Sequence, residues 1–309
     1  MKITVKLLLT SLCFASALAA KQLKISIANL GPHSTLEDIE RGIEEYFKAK
    51  DLDVVIKKQH VNFDMSAISK MLALLAADKP DVLITLTTSV SQTAKSLLKN
   101  KGVKLVFAGV TDPYEAQLVS EEMTGVSDMQ DVEGIVQFMK RLLPELERIG
   151  VPYSLGEAND RALLKAFVDA AKKHSVEIVP IPIENLADMR IRIQAAAPNV
   201  DCLYVGAGNL IQPALPSIVS VANKFKIPVF NLDSAAVRKH EAFASFAVSY
   251  IKLGQSAAEM AENRINDRKV CPVVYPSYKD HEAVVSRTVA NRLGIGLAGE
   301  LKDVQVVEK

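Results

Sequence analysis

The residues best suited to ligand binding lie in a hydroxyl-rich stretch, Thr85-Leu-Thr-Thr-Ser-Val-Ser-Gln92. The stretch follows an apolar run and precedes a helical pattern, so its hydroxyl and backbone N–H groups gather at a helix start. A helix start carries positive partial charge and unpaired donors, which suit a carboxylate or phosphate. The alternative is ordinary helix capping by Thr88 or Ser89, which needs only one hydroxyl. The candidate ligand-binding residues here are Thr88, Ser89, Ser91 and Gln92.

Two further loops, at 109–113 and 153–160, each combine acidic and polar side chains directly after a predicted strand. In the first loop, Asp112 could hold an ammonium or hydroxyl group, or it could cap the turn opened by Pro113. In the second loop, Glu157 offers an acceptor and Asn159 an amide, or Asn159 or Asp160 caps the next helix. These loops add four candidates: Thr111, Asp112, Glu157 and Asn159.

Three more strand ends or helix entries carry polar or small residues. Gly206-Ala-Gly-Asn209 lacks the third glycine of a dinucleotide fingerprint, but its small residues would let a ligand approach the backbone. Asp233 follows another strand and offers an acceptor. His33 precedes the first helix, where a lone histidine is more often a packing or capping residue than a catalyst. The candidates added here are His33, Gly208, Asn209 and Asp233.

No combination of residues predicts catalysis. The sequence has no GxSxG, HExxH or P-loop motif, and no CxxC or His/Cys cluster with zinc-ligand spacing. We therefore predict no catalytic residue, metal site or cofactor. Polar loops converging on one place are instead typical of a small-molecule pocket. Cys202 and Cys271 could form a disulfide or remain free thiols, because sequence cannot place their α-carbons within bonding distance.

Short β-branched runs alternate with amphipathic helical patterns along the chain, beginning at 24–29. Strands alternating with helices predict parallel sheets that are covered on both faces. The strand–helix phase restarts near 124–128, so the chain contains two βα series of similar length. The fold class predicted is α/β, with two Rossmann-like lobes built on parallel central sheets. In such sheets, ligands bind beyond the carboxyl ends of the strands, where the candidate residues lie.

The N-terminus is typical of a secretory signal peptide over residues 1–20. Lys2 and Lys6 precede an apolar run that is too short to span a membrane, and cleavage is expected near Ala19 or Ala20. Cys13 follows a leucine rather than the small residue of a lipoprotein signal, so we expect a soluble periplasmic or extracellular protein. Of 37 basic residues, 35 remain after cleavage against 36 acidic ones, a balance of −1 that gives no argument for nucleic-acid binding.

The order of these loops resembles substrate-binding proteins of ABC transporters, in the family that includes tryptophan/tyrosine-type binding proteins. That family is similar in fold to type I periplasmic binding proteins, and the resemblance extends from about Lys24 to Leu297. This sequence departs from the family pattern in three ways. Its helix starts lack the family's proline, Gly208 replaces an aspartate, and Glu241-Ala-Phe243 replaces Gly-Ala-Leu. The matching motifs are His33-Ser-Thr-Leu-Glu37 with Gly42, Thr88 to Gln92, Thr111-Asp-Pro113, Thr124-Gly-Val-Ser-Asp128, and Ile149-Gly-Val151 with Tyr153, Glu157 and Asn159.

The resemblance implies a hinge of three chain crossings, near 126–130, 247–252 and 270–274. Lobe 1 would comprise 23–127 with 250–270, lobe 2 would comprise 128–249 with 271–300, and 301–309 would be a tail. It also implies a monomeric, extracytoplasmic component of an ABC importer that captures a small polar ligand by hinge closure and docks on an ABC permease. An amino acid or related carboxylate is the expected ligand. The alternatives are a sensor that presents a bound solute to a membrane receptor, or an exported α/β enzyme.

Overall fold

The computed structural model of the chain describes residues 22–277, 281–297 and 301–308. The predicted signal peptide at 1–20, including Cys13, lies outside the described residues. Within the described ranges, no helix is both long and apolar enough to cross a membrane.

Two sheets organise the chain. The strands are β1 Leu23–Asn29, β2 Val54–His60, β3 Val82–Leu86, β4 Leu105–Val110, β5 Met123–Ser127, β6 Arg148–Ser154, β7 Glu177–Ile183, β8 Cys202–Val205, β9 Val229–Asn231, β10 Ala244–Val248, β11 Val273–Val274, β12 His281–Ser286 and β13 Gln305–Val307. The first sheet has the order β11-β5-β4-β3-β1-β2, and the second has the order β13-β12-β10-β9-β8-β6-β7. All recorded strand pairs are parallel except β10 with β12. This confirms the predicted α/β fold with two parallel-dominated sheets.

Helices cover both sheets, as parallel strands require. They are α1 Ser34–Ala49, α2 Ile68–Ala77, α3 Thr88–Leu97, α4 Val132–Leu142, α5 Ala158–Lys173, α6 Leu186–Ala196, α7 Leu215–Lys224, α8 Ser234–Arg238, α9 Tyr250–Ile265 and α10 Arg287–Leu293, with short 3₁₀ turns at Met65–Ala67, Ala197–Asn199 and Gln212–Ala214. We call the first sheet with α1, α2, α3 and α9 the first lobe, and the second sheet with the other helices the second lobe.

Helices α1 and α9 pack against each other with almost no separation, at a crossing made by two glycines. A Cβ atom on Gly42 would lie 2.1 Å from the Ile251 carbonyl oxygen, and one on Gly254 would lie 2.1 Å from the Ile39 carbonyl oxygen. The two backbones therefore touch where no other residue would fit. This contact fixes the first two turns of α9 against the second and third turns of α1.

The chain passes between the sheets after β5, after β10 and after β11. The first passage follows Ser127 and the second follows Val248. The third begins only after β11, because Val273 and Val274 pair with Gly125 and Val126 of the first sheet. The expectation had assigned 271–300 to the second lobe, so the structure differs there. It also differs at 301–309, where Gln305–Val307 pairs with β12 instead of forming a tail.

Cys202 and Cys271 lie in different environments. Cys202 is buried in β8 of the second lobe, whereas Cys271 is exposed before β11 of the first. Both thiols are free in the described part of the chain, so the disulfide considered from sequence does not form.

Candidate functional site

A small enclosed cavity lies between the two lobes, at the carboxyl ends of their strands. Its volume is about 20 Å³, which is room for roughly one water molecule. Residues of both lobes and of the first and second passages line it: His33, Thr35, Leu36, Ile39, Thr87, Thr88, Gly109, Thr111, Asp128, Asn159, Ala207, Asn209 and Tyr250. We call this space the cleft cavity. Five of the predicted site residues line it: His33, Thr88, Thr111, Asn159 and Asn209.

The hydroxyl-rich stretch divides into residues that face the cleft cavity and residues that hold the loop. Thr87 has a φ of 77° and ψ of 158°, a strained conformation for any residue but glycine. The Ser91 hydroxyl donates to the Thr87 carbonyl at 2.7 Å and pairs with the Thr85 hydroxyl at 2.8 Å. Ser91 thus stabilises the strained turn, and Thr87 and Thr88 are the residues of the stretch that line the cleft cavity.

The other two residues predicted from this stretch do not line the cleft cavity. The Ser89 hydroxyl lies 3.4 Å from the Thr87 hydroxyl on the edge of the helix start. The Gln92 side chain is exposed and donates to the Ala116 carbonyl at 3.3 Å. Ser89 follows Thr88 by one position at the start of α3, so helical periodicity turns it to another face, whereas Gln92 lies on the next turn, farther along the helix axis.

Asp128 is the only acidic residue lining the cleft cavity among the described residues. It is 5% exposed, and the Thr111 hydroxyl donates to its carboxylate at 3.0 Å. No lysine or arginine of the described chain lines the same space. Burial raises the pKa of Asp128 from 3.8 to about 6, although the Thr111 hydrogen bond opposes this shift. The cleft cavity therefore contains a desolvated carboxylate without a cationic partner, which is costly unless a cation binds there.

Three hydroxyl groups close to this carboxylate are buried without a hydrogen-bond partner among the described residues. They belong to Thr88 and Tyr250, which line the cleft cavity, and to Tyr204 behind it. Asp128 acts electrostatically on both tyrosines and contributes to the raised pKa of each phenol, whose main cause is burial. Buried polar groups in proteins are almost always paired, so the Thr88 and Tyr250 hydroxyls, which line the cleft cavity, mark positions for polar ligand atoms.

His33 lines the cleft cavity as a neutral ring. Burial lowers the pKa of His33 to about 4, and the nearby Asp233 carboxylate offsets this only in part. Its Nδ1 lies 2.9 Å from the Thr35 hydroxyl. Since the ring is uncharged at neutral pH, it cannot serve as the counter-ion of Asp128.

Glu157, Asn159 and Asn209 form one network on the second-lobe side of the cleft. Glu157 accepts hydrogen bonds from the Asn209 N–H at 2.8 Å, the Asn209 side-chain amide at 2.7 Å and the Leu210 N–H at 2.9 Å. The Asn159 amide donates to the Ala207 carbonyl at 3.3 Å. Glu157 therefore does not line the cleft cavity; it positions the two asparagines that do.

The remaining predicted residues have structural partners. Asp112 accepts from the N–H groups of Tyr114 and Glu115, so it caps the turn. Asp233 caps α8 and also accepts from the Ser34 hydroxyl of the first lobe, which joins the two rims of the cleft. Gly208 lacks a side chain where the Asp160 carboxylate lies, since a Cβ there would be 2.4 Å from an Asp160 oxygen.

The predictions missed Asp128 and Tyr250, two polar residues that line the cleft cavity. Asp128 directly follows β5 and Tyr250 is the first residue of α9, so both lie where the chain passes between the lobes. The matching motif 124–128 ends in Asp128, and this was the available signal. The other residues that line the cleft cavity and were not predicted from the sequence are Thr35, Leu36, Ile39, Thr87, Gly109 and Ala207. In the described residues, no group of His, Cys, Asp and Glu is arranged to hold a metal ion.

Replacing Thr88 by valine should weaken binding of the cleft ligand about fivefold, because one neutral hydrogen bond contributes roughly 1 kcal/mol. The free protein should lose no stability, since the Thr88 hydroxyl has no partner among the described residues. Calorimetric titration and urea unfolding measure the two effects. Ser89→Ala is the matched control and should leave affinity within about twofold. Equal effects of both substitutions would remove Thr88 from the site.

The chain is similar in sequence to a known protein family and to individual known proteins. Residues 24–305 match the family described as ABC transporter substrate binding protein. The tyrosine-binding protein of Clostridioides difficile (strain R20291) is 26% identical over 283 residues, which cover 88% of this chain and 81% of that protein. An uncharacterised protein of Rickettsia prowazekii (strain Madrid E) is 25% identical over 271 residues, covering 87% and 84%.

Solved structures with similar folds include bound and open forms. A Streptococcus pneumonia protein in complex with L-Trp is 25% identical with a TM-score of 0.86, covering 93% of this chain and 100% of that one. A ligand-free, open substrate-binding protein with adhesive properties from Clostridium difficile is 26% identical with a TM-score of 0.70, covering 93% and 99%. A glucose-galactose binding protein from Geobacillus stearothermophilus shares the fold, with a TM-score of 0.64 at 15% identity.

Proposed function

Because the chain belongs to the family of ABC transporter substrate-binding proteins, we propose that it captures an amino acid between its lobes for an ABC importer. The family and its relatives are binding proteins, and the family is extracytoplasmic. In this proposal the signal peptide at 1–20 exports the chain, and the closed, liganded form docks on a membrane permease. The protein acts as a monomer and carries out no reaction on its ligand.

The observation that carries the proposal is the buried Asp128 carboxylate in the cleft cavity, where no lysine or arginine of the described residues lines the same space. An ammonium group is the ligand feature that best offsets its burial, because charge-assisted hydrogen bonds are the strongest of their kind. The Thr88 and Tyr250 hydroxyls lie around the same space and donate to the ligand carboxylate. A zwitterionic amino acid supplies both charges at once. Tyrosine and tryptophan, the ligands named for the two relatives, belong to this class.

Closure of the lobes is the second part of the proposal. At nearly equal identity and equal coverage of this chain, the TM-score is 0.86 to the L-Trp complex and 0.70 to the open structure, which supports a closed arrangement here. The cleft cavity is too small for an amino acid, so the lobes must separate for entry. A ligand that contacts both lobes binds the closed state better and therefore shifts the population toward it.

Ligand affinity should depend on pH through Asp128. The carboxylate must be charged to pair with an ammonium group, and its pKa in the free protein is about 6. The dissociation constant should be constant between about pH 7 and 8, and should rise roughly tenfold per pH unit below 6. His33, with a pKa of about 4, stays neutral over this range. Calorimetric titrations from pH 4.5 to 8 measure the profile, and a flat profile would contradict the pairing.

A thermal-shift screen of the mature protein tests the proposed function. The panel holds the twenty common L-amino acids, their N-acetyl derivatives and the corresponding amines. At least one amino acid should raise the melting temperature, since ligand at 100 times its dissociation constant adds about 2.7 kcal/mol of stability. Its N-acetyl derivative, which lacks the ammonium charge, should have no effect. If no amino acid raises the melting temperature, or if acetylation makes no difference, the proposal is wrong.

A further inference from the structure

Beside the cleft cavity lies a second, larger space that the proposed function does not use. It is an open groove of about 760 Å³ between the starts of α6 and α7, and Phe63 of the first lobe forms one wall. Most of its lining side chains are apolar, including Leu186, Leu210 and Val221. Leu186 remains 59% exposed. The groove has the size and apolar lining of a small-molecule pocket, which spans about 300–1,000 Å³.

The groove borders the cleft cavity at Asn209. Asn209 lines both spaces, and its hydrogen bonds to Glu157 hold it at their boundary. On the first-lobe side, the rings of Phe63 and His33 stack with centroids 6.2 Å apart and planes 11° from parallel. His33 lines the cleft cavity and Phe63 lines the groove. Separation of the lobes moves His33 and Phe63 away from Asn209, so the two spaces join in the open form and one ligand can contact both.

The backbone holds Phe63 in place at some energetic cost. Asn62 and Phe63 have φ values of 49° and 66°, and a bulky residue rarely adopts this left-handed conformation. The Phe63 N–H donates to the Leu30 carbonyl at 2.8 Å. Gly31 provides the space, since a Cβ at that position would lie 2.5 Å from the Phe63 ring. A position maintained against such strain is a candidate for a ligand contact.

The groove also contains a positive charge. Arg190 lines it, and no hydrogen bond or ion pair joins Arg190 to another described residue. Asp128 lies in the cleft cavity, so the joined spaces carry opposite charges with apolar walls between them. A free amino acid carries its ammonium and carboxylate groups on the same α-carbon, so these two groups cannot reach Asp128 and Arg190 at once. A short peptide separates an ammonium group from a carboxylate by apolar side chains.

We propose that the joined spaces bind a short apolar peptide, with its ammonium group at Asp128, its side chains in the groove and its carboxylate at Arg190. This inference rests on the proposed function, since it uses the same ammonium site. The groove then contributes affinity that a free amino acid cannot gain. Arginine suits the far end because its planar guanidinium recognises a carboxylate through two hydrogen bonds.

Calorimetric titration with trileucine, and with the tightest-binding amino acid of the thermal-shift panel, tests this inference. Trileucine should bind the wild-type protein at least tenfold more tightly. Ser217→Trp, which fills the groove from an exposed position of α7, should weaken trileucine at least tenfold and leave the amino acid within twofold. Ser96→Trp, an exposed position of α3 in the first lobe, is the matched control and should change neither.

A second pair of variants isolates the charge. Arg190→Gln should weaken trileucine about tenfold, whereas Arg192→Gln, exposed on the same helix but outside the groove, should not. The inference is overturned if the amino acid binds as tightly as trileucine, or if the groove variants behave like their controls. Either result leaves the proposed function intact. Failure of every amino acid and of trileucine to bind the wild-type protein would instead overturn both.

Discussion

Asp128→Asn should weaken amino-acid binding about 100-fold or more, because removing one partner of a buried charge pair costs about 2–5 kcal/mol. Asparagine keeps the size of the side chain and can still accept from the Thr111 hydroxyl. The loss therefore isolates the charge from the shape of the cleft. Calorimetric titration at pH 7.5 measures it.

The same substitution should stabilise the free protein. Burial raises the Asp128 pKa above its unfolded value, so the charged form costs stability at neutral pH. That cost is complete above about pH 6 and disappears as the pH falls toward 4, where the carboxyl is neutral in both states. A shift from 3.8 to about 6 corresponds to roughly 3 kcal/mol, which asparagine should recover at pH 7.5 and not at pH 4.

Asp160→Asn is the matched control for the effect on ligand affinity. Asp160 is also buried with a raised pKa, mainly through burial, but it lies outside the cleft cavity and accepts from the Ser154 N–H. Its substitution should leave ligand affinity unchanged. If Asp128→Asn lowers stability at pH 7.5, or if it binds the ligand as the wild type does, the role assigned to Asp128 is wrong.

Gly254→Ala should destabilise the protein by about 3 kcal/mol or more, the upper range for overpacking. The added methyl group would lie 2.1 Å from the Ile39 carbonyl oxygen, and backbone cannot move aside as a side chain can. Helices α1 and α9 would separate, and with them His33 and Tyr250 at their starts. Urea unfolding measures the loss.

Gly296→Ala provides the comparison for this substitution. A Cβ at Gly296 meets no atom of the described residues within 4 Å, so this variant should stay within about 0.5 kcal/mol of the wild type. Similar stabilities of the two variants would show that the helix crossing tolerates a side chain and does not position the cleft.

The sequence was sufficient to predict the alternation of strands and helices, because buried parallel strands form continuous apolar runs. Shorter strands escaped prediction for physical reasons. β10 reads Ala-Ser-Phe-Ala-Val and has little β-branched character, and β13 is a three-residue edge strand. Both are stabilised by pairing with β12, a contact between distant parts of the chain. Local patterns carry no information on such contacts.

The candidate site was predictable to the level of loops but not of individual side chains. Thr88 and Ser91 are three residues apart in one loop, yet one faces the cleft cavity and the other supports Thr87. The strained backbone conformation of Thr87 determines which of the two side chains faces the cleft cavity, and no residue type predicts that conformation. Glu157 and Asp112 were predicted as acceptors for a ligand, but in the structure they accept from backbone N–H groups and, for Glu157, also from the Asn209 side-chain amide.

A crystal structure of the mature protein with its tightest-binding amino acid tests the central claim most directly. The ligand nitrogen should lie about 2.7–2.9 Å from the Asp128 carboxylate, the distance of a charge-assisted hydrogen bond. The ligand carboxylate should contact the Thr88 and Tyr250 hydroxyls, and Asn159 or Asn209 should contact the ligand from the second lobe. A ligand bound away from Asp128, or touching only one lobe, would contradict the account.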